Sequence, residues 1–186
     1  MTPTTLPKPP SLRVANRADE DVIDGLMKAS TRALFRAFYD ERQTASSVIH
    51  IAHIDRMLID DGTYFVVEAE GEIVACGGWS RRDKLFSGSS EQEGMARLLD
   101  PATEPARVRA MFVRHDWTRR GLGTQILVAC EDAARAAGFR QLALMATLPG
   151  FELYKRYGFR ETERRAITLP DGVRLEGVAM EKELSG

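Results

Sequence analysis

The chain has 186 residues, 44% of them hydrophobic and 28% charged, and its formal net charge at pH 7 is −1. This composition is typical of one ordinary globular domain, and the balanced charge argues against a general nucleic-acid or membrane-surface binder. No apolar run is long enough to span a membrane, and residues 1–10 are too polar and proline-rich for a signal peptide. The two cysteines, Cys76 and Cys130, lie in apolar runs. We therefore expect free thiols and a cytoplasmic location.

The N-terminal third is expected to contain a strand and two helices. Residues 1–10 are predicted to be a disordered tail, because their prolines prevent a regular start. A short strand is expected over 11–15. Asp19 is a plausible N-cap for a helix whose apolar positions continue as far as Phe38, which is expected in the core. A second helix is predicted over 44–58.

Two strands are predicted next, over 63–68 and 73–79. The glutamate-glycine pair between them is typical of a hairpin turn. Gly77 and Gly78 interrupt the second strand, which predicts a bulge or the close approach of another group to that backbone.

The segment 82–104 breaks this pattern of regular elements. Glycine, serine, proline and charged residues predominate there, with only a short helix possible around 93–99. The composition predicts a long mobile loop, and loops of this length are often functional.

The middle of the chain combines a strand, a basic turn and a helix start. Residues 108–114 are mostly apolar and β-branched, which favours a largely buried strand. From Leu122 the apolar positions recur at helical spacing, and Gly138 is suited to end that helix. Unpaired backbone amides at the helix start, with Arg119 and Arg120 beside them, predict an anion-binding site.

Two nucleotide-binding motifs are excluded by inspection of this turn. A P-loop needs lysine and then serine or threonine after its last glycine, but Thr124 follows Gly123 directly. A dinucleotide fingerprint fails because Ile126 stands where its third glycine belongs.

The C-terminal part continues the alternation of strands and helices. A nearly continuous apolar strand, Gln141–Thr147, follows the helix, so strand, helix and strand imply a right-handed crossover between parallel neighbours. A short helix, Phe151–Tyr157, comes next. Two final strands, Arg160–Thr168 and 173–182, flank a Pro-Asp-Gly turn.

This order of elements, together with two motifs, resembles the GNAT superfamily of acyl-CoA-dependent N-acyltransferases. The motifs are FVRHDWTRRGLG at 112–123 and LYKRYGF at 153–159, and the resemblance covers nearly the whole chain. It implies an α/β (α+β) fold with a mixed central sheet of about seven strands flanked by helices. In that fold a parallel strand pair diverges at the cofactor slot. The resemblance also implies a single N-acetyltransferase domain over 11–186.

The resemblance further implies that acetyl-CoA is the acyl donor. No metal site is expected, because His50 and His53 share a helix face but no third ligand is evident. In the family, a turn matching 119–124 holds the pyrophosphate, and the strand before it binds the pantetheine arm. The implied cofactor-binding residues are Met111, Phe112, Val113, Arg119, Arg120, Gly121, Leu122, Gly123 and Thr124. Thr118 departs from the family pattern, which usually has Gln or Arg there. The departure weakens one side-chain contact but leaves the backbone amides in place.

A local excess of basic residues agrees with a phosphate-rich ligand. Arg114, His115, Arg119 and Arg120 cluster in a chain that is otherwise balanced. Coenzyme A carries a diphosphate and a further phosphate, so it needs donors and positive charge.

Tyr154 matches the tyrosine that in many family members protonates the departing thiolate. A phenol with a pKa of about 10 keeps its proton at neutral pH and can act as a general acid; the alternative is an ordinary packing residue. The general base is open among His115, Glu68, Asp83 and a chain of water molecules. Direct transfer is favoured over an acyl-enzyme on Cys76, because free cysteines are usually small buried hydrophobes.

The acceptor is open among a small amine, an amino acid, an antibiotic and a protein amine. In the family the acceptor is gripped by segments that correspond here to 35–47 and 81–104. We expect a monomer or homodimer with no nucleic-acid or membrane partner. The alternative to an acetyltransferase is a non-catalytic acyl-CoA-binding module that regulates or contacts a partner protein.

Overall fold

The computed structural model describes residues 8–84 and 97–185. Most of the predicted tail and the inner part of the predicted loop lie outside these ranges. Within them the strands are β1 (Ser11–Val14), β2 (Tyr64–Ala69), β3 (Glu72–Ser80), β4 (Ala106–Val113), β5 (Gln141–Thr147), β6 (Arg160–Thr168) and β7 (Arg174–Glu183). The α-helices in the same ranges are α1 (Glu20–Leu34), α2 (Glu41–His50), α3 (Arg56–Asp60), α4 (Leu122–Ala136) and α5 (Phe151–Tyr157). None of these helices is long and apolar enough to cross a membrane.

The strands of the described chain form one mixed sheet in the order β1-β2-β3-β4-β5-β7-β6. Neighbouring strands are antiparallel except β4 and β5, which run parallel. That parallel pairing is short, and only two residue pairs align, Ala106 with Leu142 and Arg107 with Ala143. The predicted seven-stranded mixed sheet with a diverging parallel pair is therefore confirmed. Within the described residues, the divergence leaves one edge of β4 without a strand partner from Val108 onward.

Helices cover both faces of this sheet, and the strands alternate between them. On β2, Phe65 belongs to the core cluster that contains Ile126 of α4, whereas Tyr64 and Val66 belong to the cluster that contains Met27 of α1. This is the two-residue period expected of a strand buried on both faces. The site region between β4 and β5 is thus bordered by α4 on one face and by α1 on the other.

Several predicted elements are confirmed with the bounds that the sequence indicated. β5, α5 and β6 match their predicted ranges, and α4 begins at Leu122. Gly138 and Gly158, just beyond α4 and α5, have φ angles of 91° and 110°. Because a side chain is disfavoured at such angles, glycine ends both helices cleanly.

The single helix predicted over 44–58 is wrong, because two shorter helices occupy this region. α2 begins earlier than predicted, since Asp40 and Gln43 form a reciprocal capping box. A new helix, α3, begins after Asp55, whose side chain accepts a hydrogen bond from the amide of Met57 at 3.1 Å.

The region around α1 departs from the prediction at both ends. Asp19 precedes the helix but makes no side-chain capping bond to it. Its carboxylate instead accepts hydrogen bonds from the amide of Asn16 and the guanidinium of Arg13, both at 2.8 Å. The helix ends before Phe38, which is 52% exposed rather than in the core, while Phe35 is buried.

Candidate active site

The turn between β4 and α4, residues 119–124, presents a row of backbone amides and is called the amide turn below. Gln125 is the first residue there to donate into the helix, to the carbonyl of Gly121 at 3.0 Å. In the described structure the amides of the amide turn therefore have no backbone acceptor. Arg119 and Gly121 have φ angles of 61° and 79°, and left-handed residues of this kind help form anion-binding concavities. With the positive end of the 15-residue α4 behind it, the turn suits an anion.

Much of the predicted basic cluster around this turn is engaged in local contacts. Arg114 forms ion pairs with two nearby carboxylates at 2.6 and 2.7 Å. The Arg120 guanidinium lies 4.3 Å from the centre of the Trp117 ring, which is a cation–π contact. The side chains of Arg119 and His115 are exposed. Part of the positive charge of this cluster is therefore paired or stacked locally.

The two glycines of the amide turn differ in their surroundings. At Gly121 a Cβ would meet no atom within 4 Å, so the φ angle of 79° is the constraint there. At Gly123 a Cβ would lie 2.7 Å from Cδ2 of Leu153 on α5. Gly123 thus has a packing role that the sequence did not predict, because it lets α4 approach α5 closely.

A β-bulge interrupts β4 at Ala110. This residue has a φ angle of 52°, and the register with β3 shifts between Cys76 and Gly78. Val108 belongs to the core cluster on the α4 face, and after the bulge Met111 is the next residue of β4 to pack there. The irregularity predicted at the glycine pair of β3 is confirmed. Its location on β4 had no sequence signal, because alanine is not a typical bulge residue.

The bulge sets the direction of the residues predicted to bind the pantetheine arm. Met111 and Val113 lie on the α4 face and Phe112 lies on the α1 face, and all three are half-buried. The segment 110–113, called the open strand edge below, borders the gap where β4 has parted from β5. Its backbone on that side has no strand partner in the described chain and is available for main-chain hydrogen bonds to an extended ligand.

Tyr154 lies in the core cluster on the α4 face and is 9% exposed. Its ring meets that of Phe159 edge-on, with 5.9 Å between centroids. Gly150 makes room for the ring, since a Cβ there would lie 2.8 Å from Cε2 of Tyr154. Burial raises the pKa of Tyr154 well above its ordinary value, so its phenol is protonated at neutral pH.

The carboxylates considered as general bases are engaged in ion pairs. Glu68 accepts two hydrogen bonds from the guanidinium of Arg13, at 2.7 and 2.9 Å. Hydrogen bonds from two arginines lower the pKa of Asp83, which makes it a weaker base. His115 is exposed on the turn after β4.

Neither cysteine is suited to nucleophilic catalysis. Cys76 and Cys130 are both fully buried free thiols. Burial raises the pKa of Cys76 to about 12 and also raises the pKa of Cys130. Because the thiolate is the reactive form, an acyl-enzyme route through Cys76 is disfavoured, as the sequence predicted.

The basic residues at the start of the predicted variable loop are also paired locally. Arg82 and Lys84 form ion pairs with nearby carboxylates at 2.8 and 3.3 Å. The guanidinium of Arg81 lies 5.4 Å from the centre of the Trp79 ring. Most of the loop predicted to grip an acceptor, residues 85–96, lies outside the described ranges.

Two buried tyrosines that the sequence analysis did not single out make hydrogen bonds at the strand ends. The Tyr64 hydroxyl donates to the carbonyl of Ala110 at 2.6 Å. The Tyr39 hydroxyl donates to the carbonyl of Glu176 at 2.7 Å and accepts from the amide of Leu148 at 2.9 Å. In the sequence each tyrosine stands near apolar residues, so nothing nearby distinguishes it from an ordinary core residue.

The parted strand pair and the amide turn lie together at the C-terminal end of β4. A model of the acetyltransferase (GNAT) family matches residues 27–159, which is more than half of the chain. This protein therefore belongs to the GNAT acetyltransferase family and is an acyltransferase. No curated protein matches the chain.

Solved structures with the same fold include several acetyltransferases. A GCN5-related N-acetyltransferase from Rhodopseudomonas palustris has a TM-score of 0.72 at 21% identity, and the match covers 97% of this chain and 99% of that one. The PaiA N-acetyltransferase of Thermoplasma acidophilum, in complex with coenzyme A, has a TM-score of 0.66 at 12% identity, with 95% and 100% covered. YncA of Salmonella typhimurium, with its cofactor acetyl-CoA, has a TM-score of 0.64 at 16% identity, with 96% of each chain covered. The amide turn of this chain suits the pyrophosphate of such a cofactor chemically.

Proposed function

We propose that this protein is an N-acetyltransferase that moves the acetyl group of acetyl-CoA to the amine of an acceptor by direct attack on the thioester. The observation that carries the proposal is the placement of the amide turn beside the open strand edge, both at the C-terminal end of β4. The amide turn offers N–H donors to phosphate. The open strand edge offers main-chain hydrogen bonds to the pantetheine arm, which contains amides. Membership of the acetyltransferase family supports the same reaction class.

In this proposal the cofactor lies across the gap between β4 and β5. The amides of the amide turn bind the pyrophosphate, and exposed Arg119 adds charge. The backbone of the open strand edge binds the pantetheine arm and the thioester carbonyl. The proposed cofactor-binding residues are Met111, Phe112, Val113, Arg119, Arg120, Gly121, Leu122, Gly123 and Thr124.

The chemistry requires three events at the thioester carbon. A neutral amine forms the new C–N bond, negative charge develops on the carbonyl oxygen, and the C–S bond breaks to release the thiolate. A backbone N–H aimed at the developing charge stabilises it by on the order of 3 kcal/mol. The amine loses one proton and the thiolate gains one, so the products are an amide and free coenzyme A.

We propose Tyr154 as the donor of the thiolate's proton. Burial keeps its phenol protonated, and the described structure shows no hydrogen bond made by its hydroxyl group. The same raised pKa disfavours a lasting phenolate, so water must return the proton promptly. A water chain to the exterior then also accepts the proton of the amine, because Glu68 and Asp83 are held in ion pairs.

The proposed acceptor is a small-molecule or protein amine that enters from the α1 face. Phe112, on that face, is half-buried and borders the gap. With the thioester held at the gap, the rest of acetyl-CoA would lie toward one face of the sheet, and the amine would arrive from the other face.

Two measurements test the proposed function. Acetyl-CoA should raise the melting temperature, by an amount equivalent to about 2.7 kcal/mol at a concentration of 100 Kd. Acetyl-pantetheine, which lacks the pyrophosphate, is the matched control and should give a much smaller shift. Thiol release is then followed with small amines, amino acids, antibiotics and lysine peptides.

The outcomes separate the two functional classes. Stabilisation together with amine-dependent thiol release supports the acetyltransferase. Stabilisation without release for any amine would favour a non-catalytic acyl-CoA-binding module. Absence of stabilisation would contradict the cofactor site itself.

A further inference from the structure

The strained residue of β4 is held by a side chain that reaches it from two strands away. Tyr64 lies on β2, where it is paired with Gly78 of β3, and its hydroxyl donates to the carbonyl of Ala110 on β4 at 2.6 Å. Gly78 makes this crossing feasible, because a Cβ there would lie 2.7 Å from Cδ2 of Tyr64. The Tyr64 ring is thus one of the groups that approach the glycine pair of β3, together with the backbone of Thr63 at Gly78 and the side chain of Met111 at Gly77.

The hydrogen bond from Tyr64 gives a partner to the carbonyl of Ala110, which the bulge has displaced. Ala110 adopts a φ angle of 52°, which is disfavoured for a residue with a Cβ. The bulge also takes this residue out of the regular ladder with β3. Ala110 is half-buried, and a carbonyl taken out of the ladder in such a place needs another partner. The hydroxyl of Tyr64, a residue that is 0% exposed, supplies one.

A second hydroxyl holds the other end of the same segment. Ser30 of α1 donates to the carbonyl of Val113 at 2.8 Å and is buried. The open strand edge is thus fastened at its first and last residues, Ala110 and Val113. Both hydroxyls come from the α1 side of the sheet, while no strand of the described chain pairs with this segment on its edge toward β5.

We propose that Tyr64 and Ser30 are positioning residues that fix the backbone of the open strand edge at the angle needed to bind and polarise the thioester. The inference rests on the proposed function. In this inference neither side chain touches the substrate, and both act through the main-chain carbonyls of Ala110 and Val113. If the bulge relaxed, the register would move by one residue, and Met111 and Phe112 would exchange faces of the sheet.

The test compares Tyr64→Phe with a matched control, Thr63→Val. Tyr64→Phe keeps the ring and removes the hydroxyl. Thr63 is the buried neighbour whose hydroxyl donates to the carbonyl of Leu58 at 3.3 Å, so its loss also removes a buried hydrogen bond but leaves Ala110 held. In single-turnover transfer, Tyr64→Phe should be about 10–100-fold slower than wild type, while Thr63→Val should transfer at the wild-type rate.

A readout independent of turnover accompanies the kinetics. Amide hydrogen exchange at residues 111–113 should be about tenfold faster in Tyr64→Phe and unchanged in Thr63→Val. Ser30→Ala should accelerate exchange chiefly near Val113. Affinity for coenzyme A should fall by much less than the rate does in Tyr64→Phe, because the amide turn is not altered and only the contact with the pantetheine arm is loosened.

A rescue distinguishes positioning from loss of stability. Ala110→Gly places a residue that tolerates φ of 52° at the bulge. Tyr64→Phe combined with Ala110→Gly should therefore recover much of the rate lost in Tyr64→Phe alone. If Tyr64→Phe does not fold, the double variant and Ser30→Ala supply the same comparison of exchange and rate.

Three results would overturn the inference. They are a wild-type rate with unchanged exchange in Tyr64→Phe, an equal rate loss in Thr63→Val, and absence of rescue by Ala110→Gly in a folded double variant. If wild-type protein transfers no acetyl group, the proposed function has failed, and the exchange comparison still decides whether Tyr64 holds the bulge.

Discussion

The amide turn and the open strand edge border one proposed ligand site, but they are built in different ways. The turn depends on its own residues, since Gly121 supplies the left-handed angle and its carbonyl accepts the first helical hydrogen bond from Gln125. The strand edge depends on distant residues, because Tyr64 and Ser30 lie 46 and 83 positions away from the carbonyls that they hold. In the proposed site, nearby residues build the part that binds phosphate, and distant residues shape the part that binds the thioester.

This difference separates binding from chemistry. Phosphate needs several donors and tolerates small displacements, which a local turn can provide. A reacting carbonyl requires placement to a fraction of an ångström, which a strand braced from two sides can provide. Substitutions in the amide turn should therefore change affinity, and substitutions around the strand edge and α5 should change rate.

The largest expected effect is on rate, at Tyr154. Tyr154→Phe keeps the ring contact with Phe159 and removes the exchangeable proton. Single-turnover transfer should fall by about 10²–10⁴-fold, with acetyl-CoA affinity close to wild type. Wild-type transfer by a folded Tyr154→Phe variant would leave water as the proton donor.

The pH profile is the control for this assignment. Burial raises the pKa of Tyr154, so its protonated form persists below that raised value and is lost only above it. The wild-type rate should therefore not fall between about pH 7 and 10, and should rise as the acceptor amine loses its proton. An alkaline decline near pH 8 to 9 that disappears in Tyr154→Phe would contradict the raised pKa.

The second effect is on affinity, at Gly121. Gly121→Val places a β-branched residue at a φ angle of 79°, which costs about 1–3 kcal/mol or forces the turn to change shape. Coenzyme A affinity, measured by calorimetry, should fall by about tenfold or more, with a smaller effect on single-turnover rate at saturation. Gly121→Asn is the matched control, because asparagine tolerates left-handed angles. Equal affinity in Gly121→Val and wild type would show that the amide geometry of the turn is unimportant.

The third effect probes the contact between the amide turn and α5, at Gly123. Gly123→Ala forces Leu153 away from α4, and the next residue of α5 is Tyr154. Overpacking of this kind costs about 1–3 kcal/mol, so the melting temperature should fall and the rate should drop several-fold. Leu153→Ala added to Gly123→Ala should restore part of both. If affinity alone changed, the phosphate contact of Gly123 would matter more than its packing against Leu153.

The smallest effect is expected from side-chain charge in the turn. Replacing Arg119 and Arg120 together by glutamine should weaken coenzyme A binding by about 2–10-fold, since the two exposed charges together contribute on the order of 1 kcal/mol. Added salt should narrow the difference from wild type. Complete loss of binding would instead show that side chains, not amides, dominate.

The sequence by itself determined the elements whose limits depend on nearby residues. Gly138 and Gly158 end their helices because glycine takes the required positive φ angle. Leu122 begins α4 where the apolar period changes, and the free amides before it follow from the helix start alone. These features follow from backbone sterics and hydrogen bonding over a few residues, so a single sequence is enough to predict them.

Only the tertiary structure decided the features that depend on which side chain arrives from elsewhere. The bulge at Ala110 is accompanied by the hydrogen bond from Tyr64, and neither an alanine nor a tyrosine in the sequence predicts it. Leu153 gives Gly123 its packing role, and Phe38 is exposed because the chain leaves the helix before it. Local periodicity records which residues are apolar but not which of them meet, because contacts across a sheet are selected by packing and by the partners that buried polar groups require.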